Sequence, residues 1–212
     1  MPLDEHSPVR QRVLRALEGF VDAFGERDAP AHLQSVLNDD RYLKGEKLGQ
    51  KPERFVEDRL IWDVLGALGY EFLPQPYGYP RWDGTTPDFA VTNLGFDFEF
   101  STLGEVKTPN KFGYAEENVV DYVHSDLGKH TVAFATDGVR WAAYFRNERD
   151  EDVHRVAEAN LIDALKPLVK RHVENEGYET HDLRGRLCGI GSLAKPELEE
   201  TVTEGVREGR WE

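Results

Sequence analysis

Apolar residues fall at helical spacing over residues 7–25, where Val9, Val13, Leu14, Leu17, Phe20, Val21 and Phe24 share a face. Ser7 and Pro8 supply an N-cap and first-turn pair, and Gly25 a stop. A shorter helix is predicted over about 29–38 from Leu33, Val36 and Leu37, followed by a polar connecting loop to Lys51. Pro52 opens a third helix, 52–68, whose apolar face includes Phe55, Val56, Leu60, Ile61, Val64, Leu65 and Leu68. Residues 71–86 carry Pro74, Pro76 and Pro80 among Tyr77, Tyr79 and Trp82, a density of breakers that reads as an aromatic-rich loop.

The period then changes from helical to two. Asp88–Thr92 reads as a short strand, with a turn at Asn93-Leu94-Gly95. Phe96, Phe98 and Phe100 alternate with Asp97, Glu99 and Ser101, which predicts a long strand reaching Lys107 with Gly104 as a candidate bulge. A helix over 114–127 follows, then strands 131–136 and 139–145 joined by Asp137-Gly138, a hairpin signal. Asn147–Asp152 reads as a loop. Residues 153–175 read as one long helix with a kink or break near Lys166, before Pro167. The last stretch, 176–212, mixes glycines and charges and reads as a partly ordered tail. The expected organisation is a helical preface over 1–50, an α/β domain over 51–175 and that tail.

At 212 residues the chain can bury a core without staples. Cys188 is the only cysteine, which excludes an intrachain disulfide and reads as a small apolar filler. The polar N-terminus does not read as a signal peptide, and no run approaches transmembrane length, so a cytoplasmic location and no membrane partner are expected. With 40 acidic against 26 basic residues the net charge is −14, which argues against a simple DNA-coating protein. It leaves room for one local basic groove. The acid excess, with more arginine than lysine, also suits a salt-adapted organism.

The candidate chemistry lies in Thr86-Pro87-Asp88 and Glu105-Val106-Lys107. Glu105 and Lys107 are two apart, so on a strand they leave the same face, while Val106 points to a core. Two carboxylates held close suit a hard divalent cation. A lysine beside them can orient or activate a water, or hold a phosphate as a point charge. Asp97 and Glu99 are alternative acids on the same polar face. Arg81 and Lys111 are candidate phosphate contacts, and each also reads as an ordinary solvated loop cation.

Pro87-Asp88 followed by Glu105-Val106-Lys107 resembles the core of the PD-(D/E)xK nucleases. The resemblance extends to the helix Phe55–Leu65 with Glu57, to Glu117-Asn118-Val119-Val120-Asp121-Tyr122, and to Phe134–Trp141. That order, over roughly residues 52–146, is similar to the N-terminal nuclease domain of type I restriction subunits and related restriction proteins. It implies an α/β, restriction-endonuclease-like core with a small mixed sheet flanked by helices. It implies a Mg²⁺- (or Mn²⁺-) dependent DNA endonuclease of restriction or phage defence. Asp88 and Glu105 would ligate the metal, with the Val106 carbonyl as a further ligand and Glu57 binding directly or through water. From the residue alone Glu57 reads as a solvated helix acid. Lys107 would orient or deprotonate the attacking water, although two carboxylates should keep it protonated. Asn118 and Tyr122 stand where relatives carry Gln and Tyr, near the substrate. A motor, specificity or methyltransferase subunit is an expected partner, and cutting both strands would need two sites, hence a homodimer or recruitment. Two other readings stay open: a binding or protein-interaction module on the same scaffold, and an acidic DNA mimic with a basic partner.

Overall fold

The computed structural model describes residues 7–76, 86–125, 129–148, 152–174 and 180–211. Ser7 caps the first helix, α1 (Pro8–Gly25), its Oγ accepting from the Val9 N–H at 3.3 Å. Then come α2 (Pro30–Asp39), a single turn α3 (Gly45–Leu48) inside the expected loop, and α4 (Pro52–Val56). The chain continues through a π-helical turn, Glu57–Ile61, into α5 (Trp62–Leu68), which Gly69 ends with φ +95°. The widened turn keeps Leu60, Ile61 and Val64 in the core while also burying Glu57. Such turns inside α-helices are frequent at functional sites.

A mixed six-stranded sheet follows in the order β1 to β6: β1 (Phe72–Pro74), β2 (Phe89–Val91), β3 (Phe100–Val106), β4 (His130–Thr136), β5 (Arg140–Arg146) and β6 (His154–Asn160). All neighbours are antiparallel except β3 and β4. These two are parallel and are joined by the crossover helix α6 (Phe112–Ser125). Beyond β6 lie α7 (Ile162–Glu174), α8 (Thr180–Gly185), a 3₁₀ turn (Ile190–Leu193) and α9 (Lys195–Arg207). Among the described residues no helix is long and apolar enough to cross a membrane.

Alternation along the strands divides the side chains between two cores. Val106, Val132, Phe134, Trp141, Ala143 and Phe145 face the main one, with α1, α2, α4, α5 and α7. Leu103, Ala133, Ala135, Ala142 and Tyr144 face a smaller one under α6. The helices of 1–50 belong to the main core. The rings of Phe20, Phe24 and Phe55 cluster there at 5.0–5.9 Å between centroids.

Several expectations are corrected. The strand predicted from Phe96 begins at Phe100, because β4 starts at its parallel partner His130. Phe96, Phe98 and Phe100 form an aromatic cluster instead, with centroids 5.0–6.3 Å apart. The β3–β4 register is unbroken through Gly104, so no bulge interrupts that ladder. Residues 154–160 are a strand rather than the start of a helix. Ala157 and Ala159 alternate inward, and β5 offers them its open backbone edge. Asn160 Oδ1 then accepts from the Ile162 N–H at 3.0 Å as α7 begins. That helix runs unbroken through Pro167. The segment read as a tail buries Leu183, Leu187, Ile190, Leu193, Leu198 and Val202 in the main core. Cys188 is exposed, and its neighbour Leu187 fills the core in its place.

Candidate active site

The cross-strand pair Phe89–Gly104 fixes β2 against β3. Antiparallel pairing sets Asp88 opposite Glu105, one residue further on. There the Asp88 side chain takes over from the backbone ladder: its Oδ2 accepts from the Val106 N–H at 2.7 Å, while its carbonyl accepts from the Gln75 N–H at 2.8 Å. Val106 points into the main core, and Glu105 and Lys107 leave the other face.

Glu105 is only 5% exposed. Its Oε1 accepts from Lys107 Nζ at 2.5 Å and from Asn118 Nδ2 of α6 at 2.8 Å. Lys107 Nζ also lies 3.2 Å from the Val106 carbonyl. Asp88 Oδ1 and Glu105 Oε2 take no hydrogen bond among the described residues.

Burial, then the charge of Glu105, push the Asp88 carboxyl up to about 7; the Val106 N–H and Lys107 oppose this, and Glu57 adds to it. Burial acts to lower the Lys107 pKa, but the hydrogen bond and charge of Glu105, with the charges of Asp88 and Glu53, leave it raised. Lys107 is therefore an ammonium at neutral pH. Burial also raises the Glu57 carboxyl, against the opposing hydrogen bond and charge of Arg54.

Glu57 stands at the margin of this group. It is ion-paired with Arg54 at 3.0 Å, and Arg54 also reaches Asp58 at 3.1 Å. The i, i+3 and i, i+4 spacing of Arg54 with those two acids was the sequence signal for this clamp. Asp97 and Glu99 do not join the pair. Both are exposed, and Glu99 binds Lys129 at 2.8 Å beyond the opposite end of β3. Tyr122 packs half-buried against the smaller core, one turn from Asn118. Lys111 Nζ lies over the Tyr42 ring, 5.4 Å from its centroid. Arg81 and the aromatic residues Tyr77, Tyr79 and Trp82 lie outside the described residues.

The donor chemistry fits a hard divalent cation. Two carboxylate oxygens without hydrogen bonds and a raised Asp88 pKa mark negative charge that a cation would offset. Among the described residues no group of three or more Asp, Glu, His or Cys is gathered at metal-ligand spacing. A site built on one or two carboxylates, with water and phosphate completing the shell, is the manner of Mg²⁺ rather than of Zn²⁺ or Ca²⁺.

Asp137, read from the sequence as part of a hairpin signal, and Asn110, in the loop after β3, together hold that loop. Asp137 is 1% exposed. Its Oδ1 accepts from the N–H groups of Val139 and Arg140 at 3.0 and 2.7 Å, and its Oδ2 from that of Asn110 at 3.0 Å. Asn110, with φ +70°, donates from Nδ2 to the carbonyls of Val36 and Arg41, both at 2.8 Å. The loop that follows Lys107 is thus tied to the β4–β5 hairpin and to the N-terminal helices. The Pro109-Asn110 turn was the available signal.

A separate cleft of about 550 Å³ is lined by Phe112, Glu116, Arg140, Arg155 and Cys188, and by none of Asp88, Glu105 or Lys107. Arg155 is held there by Glu116 and Glu158, and Glu116 also accepts from the Tyr144 hydroxyl at 2.6 Å. No protein-family model, curated protein or solved structure matches this chain.

Proposed function

We propose that this chain is a Mg²⁺- or Mn²⁺-dependent DNA endonuclease of the PD-(D/E)xK kind, acting in the cytoplasm in restriction or phage defence. The observation that carries the reading is the convergence of Asp88, Glu105 and Lys107. Residues 17 and 19 positions apart meet at the end of two paired strands, with Lys107 Nζ 2.5 Å from Glu105. The mixed sheet, with a helix crossing between parallel β3 and β4, is compatible with a restriction-endonuclease-like core.

In this reading Asp88, Glu105 and the Val106 carbonyl would hold the cation, and Glu57 would bind it directly or through water. A bound Mg²⁺ supplies Lewis-acid stabilisation of the phosphoryl oxygens and lowers the pKa of a coordinated water. The chain's own part is positioning. Asn118 and Lys107 fix the rotamer of Glu105, and the Val106 N–H fixes that of Asp88. Lys107, an ammonium, donates hydrogen bonds to the attacking water or to an anionic phosphoryl oxygen. A base role at Nζ would first require it to leave Glu105. Tyr122 and Lys111 border the substrate. Cutting both strands needs two such sites, hence a homodimer or a recruited restriction subunit.

Asp88→Asn and Glu105→Gln test the assignment. Both should lose Mn²⁺ binding by calorimetry together with plasmid cleavage, while keeping the wild-type circular dichroism. Wild-type cleavage in either variant would overturn it.

A further inference from the structure

The lysines of this acidic chain are unevenly placed. Five of nine, Lys44, Lys47, Lys51, Lys107 and Lys111, fall within residues 41–51 and 107–111. Segment 41–51 carries four cations against one carboxylate, Glu46, in a chain of net charge −14. The fold brings these two segments together. Asn110 donates to the Arg41 carbonyl at 2.8 Å, and Lys111 Nζ lies 5.4 Å from the Tyr42 ring centroid.

Tyr42 is set on a fixed support. The Arg41 carbonyl is bonded to Asn110, Leu43 is buried, and the Lys44 N–H donates to His32 Nε2 at 3.0 Å. Between these anchors Tyr42 is 55% exposed. Lys44 and Lys47 lie one turn apart, the Lys47 N–H donating to the Lys44 carbonyl at 3.0 Å. The segment lies near the carboxylate pair through the 107–111 loop, since Asn110 and Lys111, which contact Arg41 and Tyr42, follow Lys107 by three and four residues.

Acids lie close to these lysines in sequence (Asp39, Asp40, Glu46 and Glu53), yet none is paired with them. Lys129, Lys170 and Lys195 pair with Glu99, Glu174 and Glu199 at 2.8, 3.2 and 3.5 Å. Among the described residues Lys44, Lys47, Lys51 and Lys111 pair with no carboxylate; Lys166 is likewise unpaired, but it stands alone on α7, away from an exposed ring. Unpaired lysines gathered beside an exposed ring match the phosphates and base faces of a nucleic-acid strand.

We propose that Tyr42, Lys44, Lys47, Lys51 and Lys111 form the track that holds an unpaired DNA strand ahead of the carboxylate pair, with the lysines on phosphates and Tyr42 stacked on a base. The inference rests on the nucleic-acid substrate proposed above and assigns its grip to the N-terminal helical region.

The test is fluorescence anisotropy of a labelled single-stranded oligonucleotide and its duplex, with the full chain in EDTA over a range of salt. Lys44→Gln/Lys47→Gln/Lys51→Gln should weaken binding at least tenfold. It should also shrink the slope of log K against log salt by about two, or about 0.7 for each phosphate no longer neutralised. Tyr42→Ala should cost about tenfold on the single strand and less on the duplex. Lys166→Gln/Lys170→Gln, on α7, should bind as wild type does. Melting curves show whether the triple variant is folded, and Tyr42→Ala serves if it is not. An unchanged slope in the triple variant, an equal loss in the α7 variant, or no binding at the lowest salt would each overturn the track. Binding through the track without metal-dependent cleavage would retain it and overturn the nuclease. Cleavage with binding indifferent to these lysines would do the reverse.

Discussion

The ring of Phe89 lies across Gly104, so close that a Cβ at position 104 would stand 2.1 Å from the ring's Cζ. The two are cross-strand partners, and their fit sets the register that places Asp88 opposite Glu105. Gly104→Ala should therefore cost about 1–3 kcal/mol in urea denaturation through overpacking. Phe89→Leu in the same chain should recover part of that loss, because the two side chains compete for one space. Full stability in the single variant would contradict this account of the register.

Asn118 acts on the site through Glu105, to which it donates at 2.8 Å. Asn118→Ala should leave the fold intact and weaken Mn²⁺ binding by about tenfold, the usual cost of losing a partner that orients a metal ligand. Calorimetric titration checks this, and an unchanged affinity would remove Asn118 from the site.

Much of the site was legible because its chemistry is local in sequence. Glu105 and Lys107 share a face by the two-residue period alone, and Val106 fills the core between them. Glu57 was picked out as an acid on the helix over 52–68. Its burial was not, because the π-helical turn that carries it departs from the 3.6-residue period. Strand β6 was misread because alanine and glutamate favour helices; its strand state comes from the open edge of β5, a tertiary circumstance. The tie from Asn110 to Val36 and Arg41 spans 74 and 69 positions, and no periodicity reports such a link.

That tie makes its own prediction. Asn110 adopts φ +70°, a conformation asparagine tolerates better than most residues with a Cβ. Asn110→Ala should lose both side-chain hydrogen bonds and strain the backbone, costing about 2 kcal/mol. Asn110→Gly loses the bonds without the strain and should cost less. Equal losses in urea denaturation would show that the backbone there is unstrained.

The pH dependence of stability follows from Asp88. Its folded pKa of about 7 lies above the ordinary aspartate value of 3.8, so between these values the folded chain binds more protons than the unfolded one. Stability in EDTA should fall as pH rises from about 4 to about 7, with the loss complete above that. Glu57 and Asp137, both raised chiefly by burial, act in the same direction. Asp88→Asn should flatten the profile and make the metal-free protein more stable at about pH 8, as read by denaturant midpoints at about pH 5 and pH 8. A wild-type profile that rises over this window would contradict the burial of charge at Asp88.

The most direct test of the central claim is the relaxation of supercoiled plasmid by wild type and Lys107→Ala, with and without Mg²⁺ or Mn²⁺, at low and molar salt. The account predicts nicking by the wild type that requires the metal and disappears in the variant. Metal-dependent nicking of equal rate in Lys107→Ala, or none by the wild type at any salt, would contradict it.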